Sequence, residues 1–465
     1  MSKNKFNKVV ALLAVSVMAL FSASGYVSAE LIASNSVTGF ESDNETELEV
    51  SSEFELDTEN SEYLDNDFFG EGSTGYNDDS AFIETGDIEA SVELDNQNNR
   101  NVFDIEDWIN PDFDVEVYNE CTGAFSDNEA SAEIESELSV ETENDVDLDN
   151  DLFLSLNTGY NEGDSWGCGG GCGFGDSEIS TGDTETLVAL ENSVNTNIIE
   201  VDAEADVDAE VGNSTTGFNS DNEASLELEN SVEVETDNDA DIDNDVVVIS
   251  NTGHNETDSF GGCHGGCGCD VCGFDSEIST GDAETEILIE NSANLNSIEI
   301  DAGLDVDAEV YNELTGADSD NEAEVEIENE VSVETENDAD IDNDVVVVTN
   351  TGYNEGNGEI STGDAEAQVE IENVANVNQM ELDLGGEINV SASNFGTGAD
   401  SDNEASVEIE NTVEIETVNE SNIDNDVVIV SNTGGNENDG WGGAISTGDS
   451  SIVFSATNTS NLNSL

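Results

Sequence analysis

The sequence predicts an all-β fold, a tandem-repeat β-solenoid with variable loops, and three observations lead to it. Thr-Gly pairs recur at fixed intervals, the residues between them alternate between acidic and apolar or Asn, and the asparagines fall at matching positions from repeat to repeat. An array of small antiparallel β-sandwich units is the alternative architecture.

The first element is a leader. Lys3, Lys5 and Lys8 precede an apolar run from Val9 to Phe21, and small residues follow at Val27-Ser28-Ala29. This is the pattern of a secretory signal peptide over residues 1–29. Cleavage after Ala29 leaves Arg100 as the sole basic residue against 113 acids, a formal charge of −112 on residues 30–465. Without a cationic patch to neutralise phosphates, nucleic acid is excluded as a direct partner, and anionic lipid is disfavoured for the same reason. No later apolar run reaches the length of about 18 residues that a membrane span needs, so no direct membrane insertion is expected. The expected location is secreted, extracellular or at the cell surface.

Low hydrophobicity with extreme charge is the composition of a disordered chain. The repeats argue otherwise. A first Thr-Gly at Thr38, Thr122, Thr216, Thr315 and Thr397 and a second at Thr74, Thr158, Thr252, Thr351 and Thr433 are 36 residues apart in all five cases. A third, at Thr85, Thr181, Thr280, Thr362 and Thr447, opens a companion unit related to the first, as Ala323 to Asn329 against Ala367 to Asn373 shows. Residues 30–465 are therefore five super-repeats, about 38–121, 122–215, 216–314, 315–396 and 397–465. Only the connector between the second and third Thr-Gly varies, over 11, 23, 28, 11 and 14 residues. A fixed body with one elastic loop per repeat is solenoid construction.

In the fourth long unit every odd position from Asn321 to Thr351 is Asn, Ala, Val, Ile or Thr, and the even positions through Asp344 are acidic except Ser332. Period-2 alternation is a strand with one buried and one charged face. Strands seldom exceed about ten residues, so corners are expected, and the inward Asn329, Asn337 and Asn343 are their candidates. Stacked asparagines can hydrogen-bond up the axis as a ladder, and glycine in each Thr-Gly can supply positive φ at a sharper turn. Two rungs per half-repeat at roughly 4.8 Å each give a rod on the order of 100 Å.

The recurring TGDAE and TGDTE segments, followed by alternating acidic strands and Asn, resemble secreted Thr-Gly-Asp-Ala repeat proteins. The Asn-rich strand-turn-strand logic is similar to curlin-like solenoids. These resemblances imply a surface or matrix role and carry no active site.

Two acidic signatures recur. SDNE stands at Ser42 to Glu45, Ser126 to Glu129, Ser220 to Glu223, Ser319 to Glu322 and Ser401 to Glu404. Asp-Asn-Asp supplies Asp65 and Asp67, Asp149 and Asp151, Asp243 and Asp245, Asp342 and Asp344, and Asp424 and Asp426. Clustered hard oxygen ligands suit calcium, so these ten aspartates are the candidate metal residues. A solvated face that keeps the protein soluble is the other reading. Carboxylates stacked within about 5 Å across strands repel, so folding is expected to need divalent cations or salt.

After each Asp-Asn-Asp the alternation lapses, and parity places Phe69, Phe153, Val247, Val346 and Val428 outward. Stacking would line them into an apolar stripe suited to self-association or to another surface protein, unless the connectors fold over it. The connector loops at 159–180 and 253–279 hold Cys168, Cys172, Cys263, Cys267, Cys269, Cys272 and His264. In an exported protein disulfide clips are the default, and a thiolate site for zinc is the alternative. Cys121 stands outside both loops, as a free thiol or an intermolecular bridge.

Neither His254 nor His264 has a recognisable nucleophile partner, and among so many carboxylates a pair carries no information, so no enzyme is expected. The expected function is a structural or adhesive element of the cell surface or extracellular matrix, stabilised by cations. The runner-up is a divalent-cation-sequestering or mineral-interacting binding protein.

Overall fold

The computed structural model describes residues 10–14, 28–36, 43–78, 82–105, 112–166, 177–203, 205–260, 276–439 and 443–465, and every helix or strand assigned among them is a β-strand. The long units form 31-residue strands, Asp43–Ser73, Asp127–Asn157, Asp221–Asn251, Asp320–Asn350 and Asp402–Asn432. They lie side by side in one parallel sheet, in repeat order. Register is strict: Asp127 pairs with Asp221, Asp221 with Asp320 and Asp320 with Asp402. Parallel pairing between equivalent positions of successive repeats is that of a solenoid and not of antiparallel sandwiches.

The companion units build the opposite wall. Ile88–Ile105, Thr184–Asp202, Ala283–Asp301, Ala365–Asp383 and Ser450–Ser464 form one parallel sheet, to which Val10–Ala14 adds beside Ile88–Ile105. The strands that follow, Asp112–Glu120, Ala205–Ser214, Leu304–Glu313 and Ile388–Phe395, form a second, headed by Ser28–Ser36. Cleavage after Ala29 would remove pairing only from the first coil. Short connector strands such as Ser276–Ser279 and Glu359–Ser361 make two narrow sheets at one end.

Each super-repeat therefore makes one coil, with an offset of 84, 94, 99 and 82 residues between equivalent asparagines. The expected two rungs per half-repeat are corrected: both halves together make one rung. Five coils at roughly 4.8 Å stack to about 20 Å, and the length on the order of 100 Å is instead the contour of each 31-residue strand at about 3.3 Å per residue. The expected corners at Asn329, Asn337 and Asn343 are strand interior without positive φ. Period-2 parity is the same for a straight strand and for one bent at parity-preserving corners, so the pattern could not separate them.

The chain turns elsewhere. Asn99, Asn195, Asn294, Asn376 and Asn461 adopt φ of 49° to 57° inside the companion strands. Asparagine tolerates this left-handed region better than most residues, and here its amide also bonds across the coil. Among the described residues no Thr-Gly glycine has positive φ, which is a second correction. That geometry falls on the residue before the first Thr-Gly (Cys121, Thr215, Leu314), on the second residue after it (Phe125, Asn219, Asp318, Asp400) or on the residue after the second Thr-Gly (Tyr76, Tyr160, His254, Tyr353). Glycine is required because backbones stack too closely: a Cβ on Gly253 would overlap the Gly352 carbonyl oxygen.

Threonine completes the neck of each connector. Thr252 Oγ1 donates to the Gly281 carbonyl at 2.8 Å, as Thr158 does to Gly182 at 2.9 Å and Thr351 to Gly363 at 2.8 Å. The second and third Thr-Gly of one coil are thus clamped whatever the length between them, so connectors vary while the body does not.

The interior is a thin layer between the walls. Ala130, Ala132 and Ile134 pack against Phe113, Val115 and Val117; Leu138 and Val140 against Phe103 and Ile105; Leu152 and Leu154 against Val92 and Leu94. Middle-coil residues such as Val234 and Ile242 are fully buried, a stabilisation of about 1.5–3 kcal/mol per aliphatic side chain. Val407 and Ile409, on the last coil, pack on one side only and are exposed.

Candidate functional site

Asparagine columns cross this interior. Asn144, Asn238 and Asn337 donate along one column at 2.7 and 2.8 Å, and Asn197 and Asn296 continue the facing column at 2.8 Å. The columns also join each other, Asn197 donating to Asn238 at 2.9 Å. A second pair runs through Asn150, Asn244 and Asn343 opposite Asn192 and Asn291. The SDNE motif belongs to this scaffold: Ser126 Oγ donates to the Gly123 carbonyl at 2.7 Å, and Asn128 donates to Ser126 Oγ and to Asn222. Its Ser and Asn close the turn into the long strand, leaving only its acids outward.

The outward face of the long sheet is a field of carboxylate columns. Asp65, Asp149, Asp243, Asp342 and Asp424 form one, and Asp67, Asp151, Asp245, Asp344 and Asp426 the next. The structure brings all ten candidate aspartates together, but inside an uninterrupted strand and not at turns. Among the described residues no three His, Cys, Asp or Glu converge as a single metal-holding group. Burial, then the charges of Asp245, Asp149 and Asp342, push the Asp243 carboxyl up from 3.8 to about 6. Asp149 and Asp342 move the same way, with burial the largest cause and Asp151 and Asp344 the largest neighbouring charges.

Beside the aspartates lies the stripe. Phe69, Phe153, Val247, Val346 and Val428 occupy one register column, and the Phe69 and Phe153 rings stack with centroids 5.3 Å apart. Phe69 is 71% and Val428 55% exposed. In the fourth repeat, whose connector is fully described, the connector strands Glu355–Gly356 and Glu359–Ser361 pair with neighbouring connectors, and Val346 stays half-exposed. That connector does not cover the stripe.

A surface feature missed in the sequence lies further along. Tyr76, Tyr160, His254 and Tyr353, each following a second Thr-Gly, stack with centroids 5.3, 4.6 and 5.0 Å apart. His254 Nδ1 lies 3.0 Å from Asn350 Nδ2 and 3.5 Å from Asn251 Oδ1, and burial lowers its pKa. The signal was the aromatic residue after Thr-Gly in four repeats of five.

Cys168, Cys172, Cys263, Cys267, Cys269, Cys272 and His264 lie outside the described residues. Cys121 is an exposed thiol without a disulfide partner among those described. Comparison with protein-family models, curated proteins and solved structures gives no match.

Proposed function

We propose that this protein is an exported, acidic β-solenoid that serves as a structural or adhesive element of the cell surface or extracellular matrix and is stabilised by cations. One observation carries the reading: coils tied in register by asparagine columns hold a wide, regular outer wall of carboxylates edged by an apolar stripe. Such a scaffold suits contact over an area better than chemistry at a point. The role is non-catalytic, and calcium is the cation that matches the ligand type, with the cysteine-bearing loops as disulfide clips or, alternatively, a zinc site.

The test is antibody labelling of intact producing cells, paired with an adhesion assay on cells lacking the protein. Surface label and reduced adhesion or a weakened matrix support the proposal. Label confined to the cell interior, or unchanged adhesion and matrix, overturns it.

The carboxylate columns around Asp243 favour a second reading, a cation-sequestering or mineral-interacting protein, because a divalent ion between stacked carboxylates would relieve the neighbouring charges that, after burial, raise its pKa. Stoichiometric, micromolar calcium binding by calorimetry would favour that reading.

A further inference from the structure

The stripe is more than one column wide. At the next outward position of the same strands stand Ile249, Val348 and Val430, in register with one another. Val430 is 48% exposed. In the first two coils that position is Glu71 and Ser155, so the patch has five apolar positions in one column and three in the other, which at roughly 7 Å along the strand and 4.8 Å between coils cover on the order of 200–300 Å². A stable interface buries about 800 Å² per partner, so a partner held here must also contact what flanks the patch.

One flank decides its chemistry. The column two residues before the stripe is aspartate in every coil, from Asp67 to Asp426. Residues 30–465 hold no lysine and a single arginine, Arg100. A second copy seated stripe to stripe would therefore bring two aspartate columns toward each other with no basic residue between them. A cationic partner gains attraction from the same column while its apolar groups cover the patch.

We propose that the stripe is the docking surface for an extended segment of a basic protein, one in which lysine or arginine stands two residues from apolar residues, so that both kinds face the same side. The inference rests on the surface-element reading and names its partner's chemistry. Along an extended segment, residues two apart lie roughly 7 Å apart, which matches the spacing from the aspartate column to the stripe.

The test uses the folded protein and two fluorescent peptides of equal length and charge, one repeating Lys-Ser-Leu-Ser, which sets Leu and Lys on one face, and one repeating Lys-Ser-Ser-Ser, in about 150 mM salt, where long-range attraction is screened. The leucine-bearing peptide is expected to bind about ten-fold tighter, as burial of two or three apolar side chains would give. Phe153→Ser with Val346→Ser should erase the difference while leaving binding of the leucine-free peptide unchanged, with circular dichroism reporting the fold. Asp245→Asn with Asp344→Asn, which keeps the packing, should weaken both peptides and flatten the salt dependence. Equal affinity for the two peptides overturns the proposal, as does an unchanged preference in a folded stripe variant. Binding that follows the prediction while cells show no surface label leaves the docking intact and removes the surface role. Surface label without leucine preference does the reverse.

Discussion

Asn144 donates from Nδ2 to Asn238 Oδ1 at 2.7 Å along the stack and to Asn197 Oδ1 at 3.1 Å across the interior. Its own Oδ1 accepts from Asn60 at 2.9 Å and from Asn101 at 2.8 Å. Both amide hydrogens and both lone pairs are used, so a fully polar group lies in the core without an unmet partner. Asn238 repeats the arrangement one coil on, donating to Asn337 at 2.8 Å and Asn296 at 3.3 Å. The two walls are thus bonded to each other, and each coil to the next, by one network.

Asn238→Leu fits the volume but strands the amides of Asn144, Asn197, Asn296 and Asn337. A loss of about 3–5 kcal/mol is expected, read as a lower urea midpoint. Glu233→Gln, on the outer face of the same strand, should leave the midpoint unchanged or raise it. Equal midpoints for the two variants would contradict the role assigned to the network.

Gly253→Ala and Gly434→Ala change the same position of the second Thr-Gly in different coils. The first Cβ would collide with the Gly352 carbonyl oxygen, whereas the second meets nothing nearer than Asn432 Oδ1 at 3.8 Å. Gly253→Ala should lower the thermal midpoint sharply, by at least about 2 kcal/mol of stability, and Gly434→Ala should be nearly neutral. Thermal melts of the pair check this directly.

Asn294 has φ of 55° and donates to the Asp338 carbonyl at 2.6 Å and to Asn376 Oδ1 at 3.0 Å. Replacement by Ala loses both bonds and strains the backbone, while replacement by Gly loses only the bonds. The Ala variant should be less stable than the Gly variant by about 1 kcal/mol, measured by denaturant titration.

Stability should rise as the solution is made mildly acidic. Asp243 holds its proton with a pKa of about 6 in the fold, against an ordinary 3.8. The folded state then binds more protons than the unfolded one between those values, so the penalty is full above about pH 6 and is relieved as pH falls toward 4. The thermal midpoint should climb steadily from pH 7.5 to 4.5, and Asp243→Asn should raise the midpoint at pH 7.5 and flatten the climb. A midpoint that falls over this range would contradict the sign.

The sequence carried the face of each residue but not the path of the chain. Alternation from Asn321 to Thr351 placed Ile327, Val333 and Ile341 inside and their acidic neighbours outside, and the structure agrees. The same parity aligned Phe69, Phe153, Val247, Val346 and Val428. It could not show that the strand continues unbroken through Asn337, whose side chain is met by the facing Asn296 of the companion unit at 2.9 Å. Nor could it show why Thr-Gly is kept, since the constraint on Gly253 is the backbone of the next coil, 99 residues on at Gly352. The aspartates were legible as a set, whereas the raised protonation of Asp243 comes from burial and from charges that include those of the neighbouring coils.

The number of rungs per super-repeat is the claim on which the columns, the stripe and the interior network all depend. Spin labels at Glu233→Cys and Ser332→Cys, with the native cysteines replaced by serine, test it, because these residues are register partners in adjacent coils. One coil per super-repeat predicts backbone separations of about 5 Å and strong dipolar broadening in the continuous-wave spectrum. Four rungs per super-repeat would place the same labels roughly 20 Å apart, and a spectrum without short-range broadening would contradict the account.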